Sequence, residues 1–106
     1  MTEYQAHVAE KARQLVTLME EAAKTDAVIA KLLNAMRSDL ERILQGQETL
    51  PSRLLNGWTW YFLWANRDRI DEKYPEITQS EAELASLMDH SSMENYVSHQ
   101  AFLKSL

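Results

Sequence analysis

This chain is predicted to be all-α, a compact bundle of four or five helices, and three observations carry that expectation. The 106 residues hold only two glycines and two prolines, too few for the many tight turns of an all-β domain. Apolar residues recur along most of the chain at alternating steps of four and three, the spacing of a helix with one buried face. Capping residues stand where those stripes begin. The length suits one helical domain over residues 1–106, with a core that needs no disulfide or metal. Apolar residues at 45% and charged residues at 25% are ordinary for a globular protein.

A first helix is expected over about 3–24. Thr2 caps it, Gln5 is the reciprocal capping-box partner, and Val8, Ala12, Leu15, Met19 and Ala22 form its stripe. Thr25-Asp26 interrupts the pattern, and Asp26 caps a second helix over about 27–45 whose stripe is Ile29, Leu33, Met36, Leu40 and Ile43. Gly46 stops it. So short a connection implies an N-terminal antiparallel helical hairpin; one long rod in an extended coiled coil is the alternative. A third helix over about 51–73 opens with Pro51 in its first turn and ends before Tyr74-Pro75. Thr78, with Glu81 as its partner, caps a fourth over about 79–89 containing Leu84, Leu87 and Met88. Ser92 caps a fifth over about 93–104, with Met93, Tyr96, Val97, Ala101 and Leu103 as its apolar residues.

The third helix is the aromatic one. Residues 58–64 hold all three tryptophans and five of the nine aromatic residues. Helical spacing puts Leu54, Leu55, Trp58, Tyr61, Phe62 and Ala65 on a near face for burial against the hairpin, and Trp60, Leu63, Trp64 and Arg67 on the far side. Leu84, Leu87 and Met88 are the intramolecular candidates to cover that far side; otherwise a partner does. The competing local structure is a β-hairpin around Asn56-Gly57, since this dipeptide favours tight hairpin turns and aromatics favour strands. In a helix Gly57 costs about 1 kcal/mol relative to alanine, which a close approach of a neighbouring backbone or ring would offset.

Composition narrows the function classes. With no cysteine there is no disulfide framework, thiol nucleophile or thiolate zinc site. The chain starts without the basic region and apolar run of a signal peptide, and no apolar stretch nears the ~20 residues of a membrane span. A cytoplasmic protein without membrane attachment is expected. The net charge of -5 concentrates between Asp71 and Glu94, where seven acids face one base. Asp71, Glu72, Glu76, Glu81 and Glu83 are therefore candidates for an acidic surface that steers a basic partner and repels nucleic acid.

No catalytic, phosphate-binding or zinc motif is present. His7 shares a face with Glu3 and Glu10, and the pairs His90/Glu94 and Asn95/His99 are each four apart, but none supplies a full ligand set. Catalytic, cofactor and metal residues are expected to be none, and no small-molecule ligand is implied. Thr78-Gln79-Ser80-Glu81, then Leu84-Ala85, a break near Asp89 and a second short helix resemble the layout of a helix-turn-helix over residues 78–99. The pattern fails where Asn95 and Ser98 replace core residues, and Ser91, Ser92, Glu94, Asn95 and His99 give the second helix no Arg or Lys for phosphate or guanine. Arg53, Arg67 and Arg69 are too interspersed with acids to form a phosphate track.

The leading expectation is a small acidic non-enzymatic protein-interaction module, an inhibitor, immunity-type protein or regulatory adaptor that binds stoichiometrically. Its partner is another protein, a basic one among the candidates, or a second copy, with Trp60, Leu63, Trp64 and Arg67 at the interface. The helix-turn-helix regulator is the alternative, and a small enzyme with dispersed residues comes third.

Overall fold

The computed structural model describes residues 1–52 and 54–106, and of residues 54–56 the backbone alone. Its described residues form six α-helices and no strand: α1 (Glu3–Ala23), α2 (Ala27–Leu44), α3 (Leu54–Ala65), the single turn α4 (Ile70–Lys73), α5 (Pro75–Met88) and α6 (Met93–Lys104), with a 3-10 turn at Asn66–Asp68. The bundle is all-α. It has one helix more than the four or five expected because the third helix is broken in two. Residues 54–65 are helical, so the β-hairpin around Asn56-Gly57 does not form.

Helices α1 and α2 pack along each other as an antiparallel hairpin, which excludes the single rod. The Gln5 side chain reaches the Gly46 carbonyl at the far end of α2. The Thr2 hydroxyl accepts from the Gln5 amide at 3.1 Å and the Gln5 side chain accepts from the Thr2 amide at 2.9 Å, closing the capping box. At the turn, Asp26 accepts from the amides of Val28 (2.9 Å) and Ile29 (3.4 Å) and from the Tyr74 hydroxyl (3.1 Å). Burial pushes the Asp26 carboxyl up, but these three donors and nearby Lys73 outweigh it and hold it below the usual carboxylate range. Gly46, at φ 70°, ends α2. The Gly46 amide donates to the Ile43 carbonyl and the Gln47 amide to that of Arg42, the paired bonds of a Schellman cap.

On this hairpin α3 lies against α2 and α5 against α1. Trp58, Phe62 and Ala65 are buried, and the Trp58 indole N–H donates to Asp39 of α2 at 3.2 Å. A polar chain continues from there. Arg42 bonds Asp39 (2.8 Å) and Glu48 (3.3 Å), Glu48 accepts from the Ser52 hydroxyl (3.1 Å), and the Ser52 amide donates to the Met88 carbonyl (2.8 Å). These bonds tie the α2–α3 connection to the end of α5, so Pro51 and Ser52 are not helical and the expected start at Pro51 is corrected. The expected burial of Leu54 and Leu55, and the placement of Arg53, lie outside the described residues.

A continuous helix to Lys73 is also corrected. Four residues after Ala65 comes Arg69, so an unbroken helix would aim Arg69 at the core and turn Ile70 about 100° away from it. Instead the chain tightens at Asn66–Asp68 and Arg69 takes a left-handed conformation, φ 59°. Ile70 is thereby fully buried and Tyr74 meets Asp26.

The next helix starts at Pro75, whose missing N–H costs nothing at a first helical position. Thr78 is therefore not its cap: it lies one turn inside and its hydroxyl donates to the Pro75 carbonyl at 3.1 Å. Ile77, Leu84, Leu87 and Met88 join the core. The buried Tyr4 hydroxyl donates to the Leu87 carbonyl, and burial, with Tyr96 nearby, pushes its pKa up to about 12. Ser92 caps α6, accepting from the Asn95 amide at 3.2 Å. None of the residues of α6 is buried; Tyr96 packs partly against the core, and Met93, Val97 and Leu103, expected to be apolar packing residues, are exposed.

Gly57 meets nothing within 4 Å of where a Cβ would stand, so no close approach accounts for it. Gly57→Ala is expected to raise stability by about 0.5–1 kcal/mol in urea unfolding. Trp58→Ala is expected to cost about 3–5 kcal/mol, whereas Trp60→Ala should stay within about 0.5 kcal/mol of the parent; equal losses for the two would contradict the orientation of α3.

Candidate functional site

The orientation of α3 decides which aromatics reach solvent. Trp58 is 0% exposed, while Trp60 is 73%, Leu63 57% and Trp64 41% exposed. Trp60 and Trp64 are four apart with Leu63 between them, so the three form one ridge along the helix. Arg67, also exposed, sits in the 3-10 turn that directly follows α3. Tyr61, expected on the near face, is 38% exposed and borders the ridge instead. The reason is that α3 packs chiefly on the single helix α2, so among its described side chains the buried strip is only as wide as Trp58, Phe62 and Ala65. Leu84, Leu87 and Met88 do not cover the ridge; they lie in the core, on the helix that packs against α1.

The acidic candidates separate into distinct environments. Asp71, Glu72 and Glu76 follow the aromatic ridge in the chain and are exposed. Glu72 pairs with Arg69 at 3.3 Å. Glu83 is on α5, within 3.7 Å of Lys11 on α1, and accepts from the Gln79 side chain. Glu81 is half-buried, because it falls on the stripe between Ile77 and Leu84, and burial raises its carboxyl above the usual range. Since α5 starts at Pro75, the capping-box role expected for Glu81 is absent.

His7 does not pair with Glu3 and Glu10. Glu10 bonds Arg13, and His7 lines a shallow depression with Lys11, Glu83, Leu87 and Tyr96. Among the described residues no three His, Asp or Glu side chains converge on a point that would hold a metal ion. The C-terminal histidines do meet, but in a pairing that intervals of four residues do not reveal. The His90 Nε2 and His99 Nδ1 atoms are 3.1 Å apart, and the His90 ring stands edge-on to Tyr96 at 5.8 Å. Residues 78–99 span most of α5, a four-residue connection and the first half of α6, whose last turn carries its one basic residue, Lys104.

A second exposed apolar surface was not anticipated. Met93, Val97, Phe102, Leu103 and Leu106 all reach solvent on and just beyond α6. The available signal was that apolar residues surround this helix rather than forming one stripe. No helix among the described residues is long and apolar enough to cross a membrane.

No protein-family model, no curated protein and no solved structure matches this chain.

The environment of Glu81 fixes a pH dependence. A carboxyl raised in the folded state adds stability that is complete below its unfolded pKa and is lost as pH rises through the folded one. Glu81→Gln should therefore stabilise the protein near pH 7 and change it much less near pH 4, as read by urea unfolding at both. Asp26 titrates in the opposite sense but is common to both proteins, so it cancels in the comparison. An equal effect at both pH values would show that Glu81 is not desolvated.

Proposed function

We propose that this chain is a small non-enzymatic protein-binding module whose anchor is the ridge of Trp60, Leu63, Trp64 and Arg67. The observation that supports it most is the contrast within α3: Trp58 is fully buried, whereas Trp60 and Leu63 lie largely open and Trp64 partly so. Leaving indole rings in water forgoes much of the free energy of burial, and Trp and Arg are the residues most enriched at the energetic centres of interfaces. The partner that fits is a protein with an apolar cleft and a basic rim. Asp71, Glu72 and Glu76, which follow the ridge, are the acids placed to favour its approach, while the half-buried Glu81 and the Lys11-paired Glu83 contribute less. Stoichiometric inhibition, immunity or adaptor regulation in the cytoplasm are the roles this chemistry suits. DNA binding by residues 78–99 has less support, because the start of α6 offers Glu94 and no base.

In the wild-type chain, acrylamide is expected to quench Trp60 and Trp64 and spare Trp58, with the contribution of each tryptophan isolated by single Trp→Phe variants. Trp60→Ala and Trp64→Ala should each weaken partner capture from a host extract by about 2 kcal/mol or more, roughly thirtyfold, with helical content unchanged. Asp71→Asn with Glu76→Gln should lower the association rate and its dependence on salt. Capture unaffected by loss of both tryptophans would overturn the proposal. So would sedimentation showing a wild-type dimer that these substitutions split, since the ridge would then serve self-association.

A further inference from the structure

From the juxtaposition of His90 and His99 we infer a divalent transition-metal site at the start of α6, independent of the aromatic ridge. His90 lies two residues before the cap Ser92, and His99 is on the second turn of α6. The chain folds back so that His90 Nε2 and His99 Nδ1 approach to 3.1 Å, with ring centroids 4.9 Å apart. Two imidazole nitrogens each about 2.0–2.1 Å from one ion, at a tetrahedral angle, stand about 3.3 Å apart. The 3.1 Å separation is close to that of two cis ligands, and turning each ring by roughly 35° from the line that joins the nitrogens brings both lone pairs onto a common point. Such an ion meets solvent, because His99 is exposed and His90 half-exposed.

The proton balance is simple. In the neutral pair one of the two facing nitrogens carries a hydrogen and the other accepts it. On coordination the donor ring moves that hydrogen to its other nitrogen through solvent, leaving His90 protonated at Nδ1 and His99 at Nε2, with no net release. The ligand class follows from the donors. Imidazole suits zinc, nickel and copper, whereas magnesium and calcium require oxygen. No third His, Asp or Glu converges there among the described residues, so water completes the coordination. A bound ion bridges the α5–α6 connection and the second turn of α6, and so holds the start of that helix in place.

Tag-free protein titrated with zinc chloride, followed by two-bond proton–nitrogen correlations of the imidazoles, tests this. The His90 and His99 signals should shift together and saturate at one ion per chain, in the two tautomers given above, while His7 and the magnesium control stay unchanged. His99→Asn and His90→Asn should each weaken zinc binding by roughly tenfold or more, and His7→Asn by less than about twofold. Both variants break the same His90–His99 bond, so circular dichroism of each, expected to match the parent, separates loss of a ligand from loosening of α6. Binding that survives His99→Asn within about twofold, shifts that saturate at His7, or no saturation below about 1 mM zinc would each overturn the site.

Discussion

The seating of Trp58 on α2 is the constraint from which most of the outer structure follows. A fully buried indole needs a partner for its N–H, and Asp39 supplies one from the last third of α2. A volume contact alone would let α3 roll about its axis. The hydrogen bond selects one rotation, and with it the choice of Phe62 and Ala65 as the neighbours that go inward. Asp39 is itself held by Arg42, which also grips Glu48 in the connection to α3. The helix is thus fixed both at its buried ring and at its approach. Trp60, Leu63 and Trp64 lie outward because the far side of a helix whose rotation is set this way faces away from the hairpin.

The hairpin was legible from the sequence because every level agreed there: stripe, caps, Gly46 and a short break at Thr25-Asp26 pointed the same way. The interior of α3 was nearly so, since helical spacing divides Trp58 from Trp60 and Trp64 whatever surrounds them. How much of each face is covered was not legible, because it depends on the number of neighbouring helices, and Tyr61 is exposed for that reason. The break after Ala65 was hidden for another. Arg69 carries no local signal for a left-handed conformation, which costs a residue with a Cβ about 1–2 kcal/mol; it is adopted because Ile70 gains a place in the core. Helix α5 starts at Pro75 rather than after the expected cap Thr78, because a helix beginning there brings Ile77 into the core.

Charge was the least transferable reading. A segment with seven acids and one base suggests a uniform negative surface, but the fold gives those acids different neighbours. Lys11 approaches Glu83 from another helix and Arg69 approaches Glu72 within its own turn. Exposed pairs of this kind contribute little to stability, yet they reduce the local field that a partner meets. Glu81 is drawn onto a buried stripe by the position of α5, so its charge opposes folding where a capping role would have supported it.

Helix α6 gives the molecule two tiers of stability. Its backbone bonds are intact, but it adds no fully buried side chain to the core and is attached mainly through Tyr96, the Gln100–Ser86 bond and the histidine pair. A segment with so few apolar contacts opens by itself at a fraction of the free energy needed to unfold the whole. Hydrogen exchange at its amides is therefore expected to proceed through local detachment while the α1–α2 hairpin stays closed. The C-terminal region can thus lose its order, or be cut by a protease, without dissolving the scaffold that holds Trp58.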